Sequence, residues 1–460
     1  MRKSRRSERR ASVGLALFAA LALLAAACGD DDDDGDGAQT EADGEETGDG
    51  EEATGEPIRV MTIGTLGTAE GATTSIEQTA QAYEGWINAN GGLGPDGQPL
   101  EVIFCNDQDT PEGGRECANE AIEQGVVALV GGFSIQGSFE ILPLLEENSI
   151  PWVGLGLLGG GVEQSPMSYP VVGGSITEWM AIGQEVGRQG CENSGVIRWV
   201  AGPGEEAQAY YGHGLESEGG EIGPVAPVGF DATDLLPAVA TASDGVDCMM
   251  FGMSPEQGAL TVRAAQELGV DAPLAFYPDA VTPQSVEETG GTDSPAEGGT
   301  SASWFPAADQ PIWDEAKSAV EEYASDPGIV NFTDNFNFQI TWVAFKAFEN
   351  ILGTMDSLEG LDGAALIEVL DSGDSFETGG FTEPVQFVEN IPVAVPGGGE
   401  ATRIFNPNVV MLTIQDGDYT CMEEDCPFQD MTDLMSSFEA PPSEDGEGGP
   451  PDEGGGGPPE

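Results

Sequence analysis

Three kinds of residue in this sequence could carry chemistry: hydroxyls in glycine-rich loops, cysteines, and a great excess of carboxylates. Ser134 stands in the run Gly131-Gly132-Phe133-Ser134-Ile135-Gln136-Gly137-Ser138, which opens a helix. A helix N-terminus favours negative charge, so Ser134 is either a donor to an anionic ligand group or an N-cap serine. It lacks the Gly-x-Ser-x-Gly setting of a hydrolase nucleophile. His213 is the only histidine. A His-based triad would therefore rest on one residue between Gly212 and Gly214, in what reads as a loop. Carboxylate pairs for glycoside hydrolysis are not singled out, because acids lie everywhere along the chain. The run from Gly154 to Gly161 has no Gly-Lys-Ser/Thr and so cannot form a nucleotide-phosphate cradle. Metal binding would want closely spaced Cys and His, and His213 has no cysteine near it. These residues argue against an enzyme and imply neither cofactor nor metal.

The cysteines number seven. Cys28 follows a basic head (Arg2, Lys3, Arg5, Arg6, Arg9, Arg10) and an apolar run from Val13 to Ala27. A basic head, a short apolar stretch and small residues before a cut describe a secretory signal. The run is too short for a spanning helix. A cysteine at the cut resembles the bacterial lipobox, in which it is acylated and becomes the first residue of the mature protein. Arg9-Arg10 leaves twin-arginine export open beside the general route. Six cysteines remain: Cys105, Cys117, Cys191, Cys248, Cys421 and Cys426. An exported chain meets an oxidising compartment, so an even set implies disulfides. Proximity favours Cys105–Cys117 and Cys421–Cys426, which leaves Cys191–Cys248.

The formal net charge is −68. Of 14 Lys+Arg, six precede Cys28, whereas only Glu8 of the 82 acidic residues does so. Such a surface repels nucleic acid and anionic headgroups, and it stays soluble where salt is high. Residues 28–56 are Asp, Glu, Gly and Thr with almost nothing large and apolar; they read as an acidic disordered tether. Residues 436–460 read as a disordered acidic Pro/Gly tail.

Between them the pattern alternates strand and helix. Short apolar strands are expected at Ile58–Gly64, Leu100–Cys105, Val126–Gly132 and Ile150–Gly154. Helices are expected at Ser75–Ala89, Glu112–Gln124 and Phe139–Glu147. The alternation repeats with helices over 176–189, 205–218, 234–243 and 255–268. Strands near Val196–Val200, Ile222–Val228, Cys248–Gly252 and Pro273–Tyr277 follow them. Two further helices, 312–325 and Asn337–Leu352, precede a β-rich end containing Val385–Val388 and Val409–Ile414. Near-continuous apolar strands between helices predict parallel sheets covered on both faces, an α/β fold of two doubly wound units. Ligands of such sheets bind beyond the carboxyl ends of the strands, and two facing sheets make a cleft that a hinge can close.

An ordered series of residues resembles the substrate-binding proteins of branched-chain amino acid ABC transporters, which have a type I periplasmic-binding fold. The series runs through Ile63-Gly64-Thr65-Leu66-Gly67, Ala82-Tyr83-Glu84-Gly85-Trp86-Ile87-Asn88-Ala89-Asn90-Gly91-Gly92 and Gly97-Gln98-Pro99-Leu100. It continues through Asp107…Asp109-Thr110-Pro111, Val126 to Ser134, Leu142-Pro143-Leu144-Leu145 and Ile150-Pro151-Trp152-Val153. Tyr211-Gly212, Phe251-Gly252, Ala264 to Gly269 and Gly379-Gly380-Phe381-Thr382 complete it. The resemblance covers about residues 57–420. It implies a hinge of three strands, near Val171–Ser175, Ser301–Phe305 and Gly379–Glu383. The lobes are then 57–172 plus 306–378 and 173–305 plus 384–430, with residues 1–27 as the signal.

The resemblance also implies a site. A ligand carboxylate would meet Ser134 and the backbone of Leu155 and Gly156 in the first lobe; the serines and threonines usual in that second loop are missing here. A ligand ammonium would meet Asp279 in the second lobe. Tyr211 or Tyr210 would cover the ligand's apolar part, with Met253 and Ser254 at another strand end. The implied protein is a lipoprotein anchored at Cys28 outside the cell membrane. It captures a small polar solute, an amino acid foremost, for an ABC permease. A ligand sensor of the same fold, or a hydrolase, are the alternative readings.

Overall fold

A computed structural model describes residues 52–66, 74–156, 161–200, 203–396 and 399–441. The signal, Cys28, most of the tether, Gly67, residues 157–160 and the tail beyond 441 lie outside the described residues.

The first half builds a five-stranded sheet from β1 (Ile58–Gly64), β2 (Leu100–Asn106), β3 (Ala128–Val130), β4 (Trp152–Val153) and β5 (Ser168–Tyr169). Helices α1 (Thr74–Ala89), α2 (Pro111–Gln124) and α3 (Ser138–Asn148) connect its first four strands. All its strands run parallel, in the order β2-β1-β3-β4-β5. β3 is buried throughout, as an apolar strand covered on both faces should be. Local chemistry sets the helix bounds. Thr110 Oγ1 accepts the Gly113 N–H at 3.0 Å to cap α2, Pro111 begins that helix, and Gly125 ends it at φ +65°.

The chain then passes through α4 (Gly174–Arg188) into β6 (Asn193–Trp199), α5 (Pro203–Ser217), β7 (Glu221–Val228), α6 (Leu236–Ala242) and β8 (Cys248–Phe251). α7 (Pro255–Leu268), β9 (Leu274–Phe276), α8 (Pro283–Glu288) and β10 (Thr300–Ser303) follow. These strands repeat the first sheet's order as β7-β6-β8-β9-β10, again parallel. In both sheets the order reverses between the first and third strands, which is where an open α/β sheet forms its crevice.

Next come α9 (Asp314–Tyr323), a π-helical turn at Asn335–Gln339, α10 (Ile340–Gly353) and α11 (Gly363–Leu370). α9, the π turn and α10 pack on α1, and α10 reaches β3. They therefore belong with the first sheet. β11 (Val393–Ala394) and β12 (Glu400–Ala401) make a small hairpin. β13 (Asn408–Gln415) returns to pair antiparallel with β10, and β14 (Asp418–Cys421) and β15 (Phe428–Asp430) pair with β13. The second sheet is thus mixed where sequence pattern predicts a parallel one. α12 (Thr432–Ser436) ends the described elements, and Phe438 packs 4.8 Å from the Tyr210 ring.

Two expectations shift. Val385–Val388 is not a strand: Val385 makes a single bridge to Phe376, and Phe387 packs at 5.4 Å on Tyr169. His213 lies within α5, not in a loop, and its Nε2 sits 2.9 Å from the Leu434 carbonyl.

The described cysteines are joined as Cys105–Cys117, Cys191–Cys248 and Cys421–Cys426. The second bond closes a loop with a sequence separation of 57 across the second sheet. Loop entropy gives it the largest share. We expect the Cys191→Ser, Cys248→Ser double variant to lose roughly 4 kcal/mol in a denaturant titration. A loss under about 1 kcal/mol would show that the bond contributes little.

Candidate functional site

The carboxyl ends of the second sheet bring an aromatic cluster together. Trp179, on α4, stacks with Tyr210 at 6.0 Å and meets Tyr211 at 6.5 Å and Tyr277 at 5.8 Å. Gly252, which follows β8, keeps this cluster close. A methyl there would stand 3.1 Å from the Tyr211 hydroxyl and 3.5 Å from Trp179 Nε1. Phe336, on the π turn, spans the two sheets. Its ring lies 6.2 Å from Phe133 of the first sheet's loop, 5.8 Å from Tyr277 and 4.8 Å from Trp304.

Beneath the rings lie three carboxyl groups. Glu178 is wholly buried, and its Oε1 accepts the Asn335 side-chain amide at 3.0 Å. Asn335 also takes the Ser303 hydroxyl at 2.9 Å and gives its backbone N–H to Asp279 Oδ1 at 3.3 Å. Asp334 accepts the Asn337 backbone N–H at 3.0 Å. Among the described residues, Glu178 Oε2, Asp279 Oδ2 and Trp179 Nε1 are buried without a hydrogen-bond partner. Burial holds the Glu178 carboxyl well above the usual carboxylate range, against the pull of the Tyr277 hydroxyl and Asn335. Burial and the neighbouring Asp334 do the same to Asp279, and burial raises Asp334.

None of the eight cationic side chains beyond residue 28 relieves these acids. Arg59, Arg115, Arg188, Arg198, Arg263 and Lys346 pair with glutamates elsewhere. Lys317 donates to the Ala308 carbonyl and Arg403 to the Ser168 carbonyl.

The first sheet's strand ends hold a different arrangement. Asp107, wholly buried, accepts the Thr65 hydroxyl at 2.6 Å and the Asp109 N–H at 3.0 Å on Oδ1. The Ser134 hydroxyl donates to its Oδ2. Asp109 in turn accepts the Gln136 N–H at 3.3 Å. Ser134 does not cap α3, whose cap position is Gly137. The Gly156 N–H donates to the Gly132 carbonyl at 3.1 Å, and the Leu155 side chain is buried.

Of the residues singled out in sequence, Asp279 and Tyr211 come together with the aromatic cluster, while Ser134, Leu155 and Gly156 stand at the first sheet's strand ends. Tyr211 is buried with its hydroxyl on the Phe251 carbonyl at 3.3 Å. Ser254 caps α7, and Met253 is buried against Thr261. Sequence reasoning missed Glu178, Trp179, Phe336 and the Asp334-Asn335 pair. A signal existed for Glu178: it sits among Ile176, Met180, Ala181 and Ile182 on a buried helix face, where an unpaired acid is costly. A cavity of about 550 Å³, lined by Glu192, Glu218, Glu221 and Asp247, lies at the opposite, amino ends of the second sheet's strands. Among the described residues there is no group of His, Cys, Asp and Glu fit to hold a metal ion.

Two open α/β sheets of one strand order, with side chains from their connecting segments meeting between them, define a two-lobed binding protein. The chain belongs to the periplasmic binding protein family, whose sequence model matches residues 60–391. Members of this family bind solutes outside the cytoplasm for ABC transporters and are binding proteins, not enzymes. Among solved structures, the chain is similar to a solute-binding protein of an ABC transporter from Rhodopseudomonas palustris BisB5, in complex with 3,4-dihydroxybenzoic acid. The TM-score is 0.61 at 19% identity, over 82% of this chain and 98% of that one. It is also similar to a possible leucine/isoleucine/valine-binding protein from Rhodopirellula baltica SH 1, with a TM-score of 0.62 at 13% identity over 81% and 98%. A leucine-binding protein from Thermotoga maritima MSB8 gives 0.57 at 14% identity over 82% and 99%. No sequence among the curated proteins matches. Among the described residues no helix is long and apolar enough to cross a membrane.

Proposed function

We propose that this chain is the capture subunit of an ABC importer, held outside the membrane by lipid on Cys28. It closes two lobes, 57–172 plus 306–378 and 173–305 plus 384–430, over a small polar solute bearing an amine, of which amino acids are the family's example. One observation supports this above the others: the Glu178–Asn335–Asp279 constellation, in which Glu178 Oε2 and Asp279 Oδ2 are buried without a hydrogen-bond partner among the described residues. A cation supplied by a solute would satisfy them. Asn335 belongs to the segment packed on α1, whereas Glu178 and Asp279 belong to the second sheet. Parting the lobes breaks these bonds and admits the solute; closing them completes the site. The tether behind Cys28 would reach roughly 30 Å as a flexible coil, enough to hold the binder near a permease without fixing its orientation.

Calorimetry and thermal shift against amino acids, amines, ureas and short carboxylates test solute capture. A correctly folded protein that responds to none of them contradicts the reading. Anchoring is tested separately: Cys28→Ser is expected to move the protein from the membrane fraction to the medium. Unchanged fractionation would remove the lipid from the account.

A further inference from the structure

Resting on that capture reading, we propose that the site selects small organic cations that carry no carboxylate, such as monoamines, diamines and guanidines, over zwitterionic amino acids and aromatic acids.

The acid side of the site is built and unbalanced. Glu178 is wholly buried, its Oε2 has no partner among the described residues, and Asp279 presents Oδ2 in the same state. Desolvated carboxylates need a countercharge. All eight cationic side chains beyond residue 28 are committed elsewhere. In the empty site burial favours the neutral, protonated form of both acids; the countercharge that would let them ionise has to come from outside the chain. The aromatic cluster of Trp179, Tyr277 and Phe336 beside these acids suits an organic cation better than a hydrated metal ion, because aromatic rings attract ammonium and guanidinium groups.

The place for an anion is meanwhile occupied by the protein's own acids. The Ser134 hydroxyl is given to Asp107 and the Gln136 N–H to Asp109. The Gly156 N–H is given to Gly132. A ligand carboxylate at this rim would find the Ser134, Gln136 and Gly156 donors spent and two carboxylates beside them. The Trp179 indole N–H is a further donor without a partner among the described residues. A carboxylate there would lie next to Glu178, so a hydroxyl or amide oxygen suits it better.

The experiment uses pairs differing only in the carboxylate: leucine and 3-methylbutylamine, phenylalanine and 2-phenylethylamine, arginine and agmatine. 4-Hydroxybenzoate is the anionic probe. Titration calorimetry on the full-length exported protein is expected to show at least one amine binding tenfold or more tighter than its amino acid. Glu178→Gln, and independently Asp279→Asn, should weaken that amine tenfold or more while the circular dichroism spectrum is unchanged. An amino acid binding as tightly as its amine, or 4-hydroxybenzoate binding more tightly than every amine, overturns the selectivity and leaves solute capture standing. Silence from all seven compounds on folded protein overturns the selectivity, and capture is then decided by the wider panel of amino acids, ureas and short carboxylates.

Discussion

Replacing Glu178 by Gln is expected to stabilise the ligand-free protein at neutral pH while weakening its capture of cations tenfold or more. The amide keeps the shape and can still accept the Asn335 side-chain N–H, now 3.0 Å from Oε1. It removes a group whose ionisation burial opposes. The folded carboxyl titrates above its unfolded counterpart. At acid pH both states hold the proton, and the group costs nothing. As pH rises past the usual carboxylate range the unfolded chain releases its proton first, so wild-type stability falls until the folded group titrates too. The gain of Glu178→Gln should therefore be near zero at acid pH and grow as pH rises past the usual carboxylate range. Asp279 and Asp334 carry the same sign, so the variant keeps part of the slope. Denaturant titrations at several pH values read this directly. A loss of stability at every pH would mean that Glu178 is a structural hydrogen-bonding residue and not a binding one.

Gly132→Ala should be among the most damaging single methyl additions in the chain. Gly132 sits at φ +67°, and an added Cβ would stand 2.0 Å from the Ile63 carbonyl oxygen. Backbone cannot yield as a side-chain tip can, and its own carbonyl holds the Gly156 N–H. Gly125→Ala provides the control. It shares a positive φ of +65° but has no atom within 4 Å of the added methyl. It should cost about 1–2 kcal/mol, the conformational part alone. Gly132→Ala adds the collision and should cost on the order of 4 kcal/mol or more. Equal costs in a denaturant titration would mean that β1 and the loop after β3 shift apart freely.

The alternation of strands and helices was legible because buried parallel strands read as short apolar runs such as Ala128-Leu129-Val130. The end of the chain was less so. Val385-Gln386-Phe387-Val388 alternates like a strand, yet Pro384 and Pro392 bracket it, and Phe387 is buried in a loop against Tyr169. Asp279 was visible because it follows a strand end. Glu178 was hidden by composition: one acid among 82 draws no notice until its helix face proves apolar. Asn335 and Phe336 act from a π turn that sequence pattern predicts to be the approach to an ordinary helix. Pairing between β10 and β13 joins distant segments, and no local pattern announces it.

That last pairing has a consequence for how the molecule is made. β10 finds one neighbour only when β13, more than a hundred residues later, is present; its register joins Thr300 to Thr413. The first sheet likewise awaits α10, which packs on β3. Neither half can seal its core while the chain is still being delivered from its amino end. Contacts so remote in sequence slow folding. Both halves of the newly made polypeptide thus close only when nearly all of it has arrived.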